Sequence, residues 1–175
     1  MIDELKEVFV NIKKNNCFKI ITEEHFEIYD CKTEDASFTI GRCYIKESGD
    51  FQVLNPNKQE ISFLAVDKCI FFDEDDTKRC DAIVYNNDTI CFIEIKDCKP
   101  KNRSSRKKDA KEQLRTTIKL FENKINIEKN REAYMCVGTS QTRPSKLASG
   151  MDAVLEFEED VNSVLFDGCK KNFVE

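Results

Sequence analysis

Asp81 to Lys96 reads DAIVYNNDTICFIEIK, which is two apolar segments on either side of the polar run Asn86-Asn87-Asp88. Short apolar segments bounded by turn residues are typical of β-strands. The first segment begins with an acid, Asp81, and the second carries Glu94 and Lys96 near its end. Buried strands hold charges mainly where those charges are paired or bind a ligand. The three charged residues are therefore the first candidates for a functional site.

The polar run predicts a tight β-hairpin, because Asn and Asp tolerate the positive φ that such turns need. We take Asn87-Asp88 as a two-residue loop, which places Asn86 opposite Thr89. Counting outward then places Asp81 opposite Glu94. Opposed residues share a face of the sheet, and the lysine two positions further on shares it too, because side chains alternate along a strand. This register predicts one cluster of all three charges, and a slip of one residue would break it.

The Glu94-Ile95-Lys96 tripeptide is weak support by itself, because acid-x-Lys recurs in a chain with so many charges. This copy differs in lying at the end of an apolar strand that follows an acid-bearing strand. The alternative interpretation is an edge-strand salt bridge between Lys96 and Glu94 or Asp81. We favour the functional interpretation, since three charges on one hairpin face are a poor way to build a core. The other copies are Glu4-Leu5-Lys6, Asp76-Thr77-Lys78, Asp97-Cys98-Lys99, Asp109-Ala110-Lys111 and Glu122-Asn123-Lys124.

Length and composition suit one domain spanning residues 1–175, with a net charge of −5 that argues against a nonspecific nucleic-acid coat. The nine cysteines form no CxxC pair, and the single histidine offers no zinc partner. Cys69, Cys91 and Cys136 lie in apolar runs, so we expect them as small reduced residues in the core. We expect a cytoplasmic protein with no membrane span, because no signal peptide and no long apolar run is visible.

Periodicity predicts an α/β protein in which strands precede and follow the hairpin. An acidic turn at residues 73–76 is expected to be a solvated loop. The tail from residue 158 is expected to be helical or loosely packed. The predicted elements are a helix over residues 2–14, strands over 17–21, 26–29, 38–45 and 51–54, an apolar segment over 61–72, a helix over 106–124, a strand over 132–139 and a last strand over 153–157.

After Lys96 the sequence becomes basic, at the point where the second strand of the hairpin ends. Cations in that position are well placed to contact the phosphates that flank a reacting bond. A solvated helix start is an equally good interpretation of any single one of them. The predicted nucleic-acid-binding residues are Lys99, Lys101, Arg103, Arg106, Lys107 and Lys108, and Arg143 and Lys146 in a later loop are further candidates.

The order of elements resembles the PD-(D/E)XK nuclease superfamily, whose restriction-endonuclease-like core is an αβββαβ fold. Cys80-Asp81 matches the PD element, with cysteine in place of proline, and Glu94-Ile95-Lys96 matches the ExK element. The resemblance implies a mixed central sheet flanked by helices, here with extra N-terminal strands. An acid on the first helix, either Glu4 or Glu7, would join the site in some branches of the superfamily.

The resemblance also implies roles for single residues. Asp81, Glu94 and the backbone carbonyl of Ile95 would bind Mg²⁺ or Mn²⁺. Lys96 would position or activate the attacking water. Gln113, on the helix that follows the hairpin, is similar in placement to a glutamine of the RecB-like and exonuclease branches.

The function implied is metal-dependent hydrolysis of nucleic acid, DNA or RNA with DNA preferred, in bacterial or phage defence. One alternative is a nuclease-fold binding or regulatory subunit, acting as a homodimer or in a larger defence complex. A second is an acidic inhibitor or antitoxin-type protein whose surface mimics nucleic acid. The acids at residues 73–76 and 156–160 favour this second alternative, and the basic run argues against it.

Overall fold

Two mixed β-sheets and four α-helices form the part of the fold that the structure describes. The computed structural model describes residues 1–33, 38–72, 74, 77–138, 143–144 and 151–174. The mixed α/β class predicted from the sequence is confirmed. The helices are α1 (Ile2–Val8), α2 (Asn11–Lys14), α3 (Arg103–Glu122) and α4 (Met151–Val161).

The strands divide into a larger sheet of seven and a smaller sheet of four. In chain order they are β1 (Phe18–Ile21), β2 (His25–Asp30), β3 (Cys43–Lys46), β4 (Phe51–Leu54), β5 (Ile61–Ala65), β6 (Ala82–Tyr85), β7 (Thr89–Lys96), β8 (Asn130–Val137), β9 (Arg143–Pro144), β10 (Val164–Asp167) and β11 (Lys170–Asn172). The larger sheet has the order β1-β5-β6-β7-β8-β10-β9, and the smaller one has the order β11-β4-β2-β3.

β7 lies in the middle of the larger sheet, antiparallel to β6 and parallel to β8. One of its faces is covered by α3, where the ring of Phe121 lies 6.1 Å from that of Phe92. The smaller sheet covers the opposite face, where the ring of Phe51 in β4 lies 5.3 Å from that of Tyr134 in β8. Tyr134 is the register partner of Ile93, the neighbour of Phe92, so the two contacts are on opposite faces. Burial of β7 on both faces explains why its sequence is almost continuously apolar.

The helix α3 connects β7 to the parallel strand β8, as a crossover between parallel strands requires. It begins at Arg103, slightly before the predicted start, after a short 3₁₀ turn over Pro100–Asn102. Its buried residues recur at intervals of three or four, which is the spacing of one helix face. They are Ala110, Leu114, Thr117, Ile118 and Phe121.

Two N-terminal predictions are corrected. The helix predicted over residues 2–14 is divided, because α1 ends at Val8 and the chain turns at Phe9, which has a nonhelical φ of −113°. Phe9 turns into the core, where its ring lies 4.9 Å from that of Phe121. The strand predicted over residues 38–45 is shorter and begins later, at Cys43. Gly41 has a φ of +76°, which is not an extended conformation and interrupts the strand before that residue.

The strand predicted over residues 153–157 is wrong, because these residues belong to α4. Val154, Phe157 and Val161 are its buried residues among those described, and they are three and four positions apart, which is helical spacing. The tail contains two further strands, β10 and β11, that the sequence analysis does not predict. Both are short and partly polar, and each is stabilised by pairing with a strand distant in the sequence.

Two disulfide bonds correct the prediction that Cys69 and Cys136 are reduced. Cys17 is bonded to Cys69, and Cys136 is bonded to Cys169. The sequence gives no sign of either pair, because the partners come from segments that only the fold brings together. Cys91 is a free, buried cysteine, as predicted. Among the described residues no helix has the length and apolar character needed to cross a bilayer.

Candidate functional site

The hairpin of β6 and β7 has the predicted register. Tyr85 pairs with Ile90 and Ala82 pairs with Ile93, so Asp81 lies immediately beyond the last pair and next to Glu94. The turn forms because the side-chain oxygen of Asn86 accepts hydrogen bonds from the backbone N–H groups of Asp88, at 3.0 Å, and Thr89, at 2.8 Å. The register is confirmed, but the reason given for it is wrong, because neither Asn87 nor Asp88 has a positive φ. The turn depends instead on an asparagine that bonds to the backbone two and three residues ahead, which is a local turn signal.

Asp81 closes the end of the hairpin with its backbone and its side chain. Its N–H donates to the carbonyl of Ile93 at 3.0 Å, so the chain begins to leave the regular ladder at this residue. Its Oδ2 accepts from the N–H of Ile95 at 2.6 Å, and the residue is 6% exposed. The carbonyl of Ile95 faces the same edge, because N–H and C=O of one strand residue point to the same side.

Glu94 is completely buried, with 0% of its surface exposed. Its Oε1 forms an ion pair with the Lys96 ammonium, whose side chain is 23% exposed. Neither Glu94 oxygen accepts an aligned hydrogen bond from any residue that the structure describes. An ion pair with one partner leaves a buried carboxylate far from satisfied, which is costly in a protein interior.

The pKa values of the three charged groups follow from their burial and mutual distances. Burial raises the pKa of Asp81 to about 7, although the positive charge of Lys96 opposes the change. Burial and then the charge of Asp81 raise the pKa of Glu94 well above its usual range. Burial alone would lower the pKa of Lys96, but the two carboxylates outweigh it and raise that pKa. Lys96 is therefore a cation at neutral pH, beside two carboxyl groups that ionise reluctantly.

Two further acids approach this cluster, and the sequence analysis missed both. Asp67 follows β5, and its Oδ1 accepts from Arg79 Nε at 2.6 Å. Asp30 ends β2 in the smaller sheet, and its buried Oδ1 has no hydrogen-bond partner among the described residues. Both negative charges contribute to the raised pKa of Asp81. The available signal was an acid beside the end of a strand, which resembles the signal from Asp81 at the start of its apolar segment.

Gln113 lies near the site without a described contact to its carboxylates. Its Nε2 donates to the carbonyl of Arg79 at 3.0 Å, two residues before Asp81. One turn further along α3, the hydroxyl of Thr117 accepts from the N–H of Cys80 at 2.7 Å. Gln113 and Thr117 therefore hold the backbone of the segment that leads into β6.

The six predicted phosphate-binding residues fall into two groups. Arg103 and Lys107 turn toward Asp167 of β10, which forms an ion pair with each of them. The other four are exposed to solvent: Lys99, Lys101, Arg106 and Lys108.

Several other predicted residues lie elsewhere. Glu4 and Glu7 are both exposed on α1, and Glu4 borders a surface depression beside Asn123, just past the end of α3. Lys146, the side chain of Arg143 and most of the acidic turn at residues 73–76 lie outside the described residues.

The carboxylates of Asp81 and Glu94 could together hold a small divalent cation. They do not form a larger set of ligating side chains around it. No group of three His, Cys, Asp or Glu side chains suited to a metal ion occurs within the described ranges. Mg²⁺ commonly uses only one or two protein carboxylates and keeps several waters. The buried, unsatisfied oxygens of Glu94 and the adjacent carboxylate of Asp81 supply such a pair, and a cation would offset the charge that burial disfavours.

Comparison of the chain with protein-family models, with curated proteins and with solved structures returns no match.

Proposed function

We propose that this chain is a metal-dependent nuclease that hydrolyses phosphodiester bonds, with DNA as its substrate. The observation that carries the proposal is the completely buried carboxylate of Glu94, which lies beside Asp81 and is ion-paired with Lys96. A fold retains buried, poorly satisfied charges of this kind chiefly where they bind or react.

Asp81, Glu94 and the carbonyl of Ile95 would hold Mg²⁺ or Mn²⁺. A cation at this position supplies charge neutralisation for the phosphodiester and lowers the pKa of a bound water. The protein fixes the two carboxylates before substrate arrives, because Asp81 is bonded to the Ile95 backbone and Glu94 lies within the central strand. Such preorganisation avoids the cost of reorganising the site during the reaction.

Lys96 acts as a hydrogen-bond donor and not as a base, because its raised pKa keeps it protonated. Its side chain is partly exposed, so the ammonium reaches both Glu94 and solvent. An ammonium in this position can orient a nucleophilic water and donate to an oxygen of the phosphate as negative charge develops there.

The order of elements supports the resemblance to the PD-(D/E)XK superfamily. Among the described elements, α1 precedes the meander β5-β6-β7, and α3 then leads to β8, which is parallel to β7. This is the succession expected of an αβββαβ core. In this interpretation β1, β2, β3 and β4 would be the extra N-terminal strands.

Replacement of the lysine tests the proposal. Purified protein is incubated with linear duplex, circular duplex, single-stranded DNA and RNA, with Mg²⁺, Mn²⁺ or a chelator. We expect cleavage of DNA that requires the metal and is lost in Lys96→Ala, by a factor of about 10² or more. Lys124→Ala is the matched control, because Glu122-Asn123-Lys124 is an acid-x-Lys copy with an exposed lysine. Undiminished cleavage by Lys96→Ala would exclude the assignment.

Metal binding separates the nuclease from the alternative of a binding or regulatory subunit. Calorimetric titration with Mn²⁺ should detect binding to the wild type and a large loss of it in Glu94→Gln. A wild type that binds DNA but no metal would favour the binding subunit.

The acidic-mimic alternative has less support. Asp160 on α4 pairs with Arg115 and Lys119 of α3, and Glu156 also lies 3.7 Å from Arg115. Acids that pair within the chain are less available to a basic partner. A cytoplasmic location and a role in bacterial or phage defence stay predictions.

A further inference from the structure

Asp167 lies in the same row of the larger sheet as Glu94. It is the register partner of Met135 in β8, and Met135 is in turn the partner of Glu94 in β7. Partners in adjacent parallel strands share a face, and neighbouring strands are roughly 4.8 Å apart. The backbones of Asp167 and Glu94 are therefore about 10 Å apart on one face, near the ends of their strands.

Asp167 is 5% exposed and is contacted by two cations from the first turns of α3. Its Oδ2 pairs with the ammonium of Lys107, and its Oδ1 lies 3.8 Å from Nη2 of Arg103. Arg103 and Lys107 are four positions apart, so they lie on the same side of the helix. One buried carboxylate thus fixes two cations beside the candidate site.

The charges and hydrogen bonds of this cluster are incompletely balanced. Two cations share one carboxylate, which leaves an excess positive charge. Asp167 Oδ1 and Arg103 Nε are both buried without a hydrogen-bond partner among the described residues. The side chains of Arg103 and Lys107 are 35% and 30% exposed, so both still reach solvent. A guanidinium and an ammonium with donors to spare are the groups that bind a phosphate oxygen.

We propose that Asp167 is a positioning residue that holds Arg103 and Lys107 as a phosphate-binding pair for the nucleic-acid strand that enters the Glu94 site. This inference rests on the proposed function and extends it from the cleaved bond to a neighbouring phosphate. It separates this pair from the exposed Lys99, Lys101, Arg106 and Lys108, which no described carboxylate fixes in place near Glu94.

Replacement of Asp167 distinguishes positioning of the two cations from a simple effect of its charge, because the two explanations predict opposite changes in DNA affinity. Binding of a fluorescently labelled short duplex is measured by anisotropy in chelator over a range of salt concentrations. Removal of a negative charge should strengthen binding if Asp167 acts only through its charge. If it positions the two cations, Asp167→Asn should weaken binding, by about tenfold. The matched control is Asp109→Asn, which removes the same charge from an exposed position on α3 and should not weaken binding.

A second variant tests the same pair without altering a buried residue. Arg103→Gln with Lys107→Gln should lower the slope of log affinity against log salt by about two, one for each lost phosphate contact. Adding Asp167→Asn to this double variant should then change affinity little, because its targets are gone. Thermal unfolding of each variant confirms that the protein is folded at the assay temperature.

The outcomes distinguish this inference from the proposed function. Three results would each overturn the inference. The first is that Asp167→Asn binds as tightly as Asp109→Asn. The others are an unchanged salt slope in the double variant and a wild type that does not bind DNA. Lys96-dependent cleavage that is unaffected in Asp167→Asn would overturn it and leave the nuclease assignment intact. Asp167-dependent binding without cleavage in any metal would support the phosphate site and contradict the nuclease.

Discussion

Burial of Asp81 and Glu94 lowers the stability of the metal-free fold, because an ionised carboxylate loses its hydration there. The backbone N–H of Ile95 and the ammonium of Lys96 compensate only in part, since the pKa values of both acids stay raised. If the proposed function holds, these residues favour function at the expense of stability.

This cost should be visible in the pH dependence of unfolding. The pKa of Asp81 is about 7 in the folded chain against an ordinary value of 3.8, so the folded state holds more protons between these values. The contribution of Asp81 to the free energy of unfolding is therefore greatest below pH 4 and falls as the pH rises to about 7. In chelator, Asp81→Asn should be more stable than the wild type at pH 8 by up to about 4 kcal/mol, and close to it at pH 4.

Denaturant unfolding at the two pH values measures the difference, with Asp109→Asn as the control at an exposed position. If the free energies of unfolding of the wild type and Asp81→Asn differ by the same amount at pH 4 and pH 8, the raised pKa of Asp81 is contradicted.

At the scale of elements, α3 fixes the segment that leads into β6. The hydroxyl of Thr117, which is completely buried, accepts from the N–H of Cys80 at 2.7 Å and donates to the carbonyl of Gln113 at 2.8 Å. Asp81 is the next residue, so this contact fixes the backbone from which its carboxylate extends to the N–H of Ile95.

Thr117→Val keeps the shape of the side chain but removes the hydroxyl. The N–H of Cys80 would then be buried without its partner, and we expect a loss of about 1–3 kcal/mol in the free energy of unfolding. Thr116→Val is the matched control, because among the described residues the Thr116 hydroxyl bonds within the helix, to the carbonyl of Glu112. Equal effects of the two substitutions on urea unfolding would show that the Cys80 contact contributes little.

Elements were predictable where local chemistry determines them. The Asn86 turn determines the hairpin register, and the apolar spacing in residues 106–122 determines most of α3. The segment over residues 153–157 was misassigned because a short apolar run suits a strand or a helix, and only the spacing of Val154, Phe157 and Val161 distinguishes them. β11 carries no local signal, since Lys170–Asn172 is polar and depends on pairing with β4.

At the scale of the whole molecule, each disulfide joins segments distant in the sequence. Cys17–Cys69 closes a separation of 52 residues and ties the start of β1 to the turn that follows Asp67. Cys136–Cys169 closes a separation of 33 residues and ties β8 of the larger sheet to the turn before β11 of the smaller sheet. Such links restrict the unfolded chain more than they alter the folded one.

Loss of either link should lower stability. The chain-entropy relation gives about 4 kcal/mol for each loop of this length. Unfolding of Cys17→Ser and Cys169→Ser is compared with that of Cys98→Ser, which removes a free, partly exposed thiol. The first two should lose stability and the third should not, and addition of a reductant should bring the wild type toward the first two. If a reductant leaves the free energy of unfolding of the wild type unchanged, a stabilising role for the disulfide bonds is contradicted.

The candidate site was predictable only in its local part. Asp81, Glu94 and Lys96 belong to one hairpin, so counting residues was enough to bring them together. Asp30, Asp67 and Asp167 reach the same region from the smaller sheet, from the end of β5 and from β10, and no spacing in the sequence relates them to the hairpin. Their positions depend on how strands distant in the sequence pair, which is tertiary information.

The pairing of β11 with β4 has a consequence for synthesis on the ribosome. Gln52 leaves the exit tunnel long before its partner Lys170 is made, so β4 stays an edge strand with unpaired backbone groups until β11 has been made. The exposed edge of β4 can then pair with strands of other chains. Rapid folding or chaperones would limit this aggregation. Asp167 emerges equally late, so a ribosome-bound chain lacks the residue that would hold its cationic pair in place. The proposed nuclease would thus become fully competent only after β10 and β11 have been made.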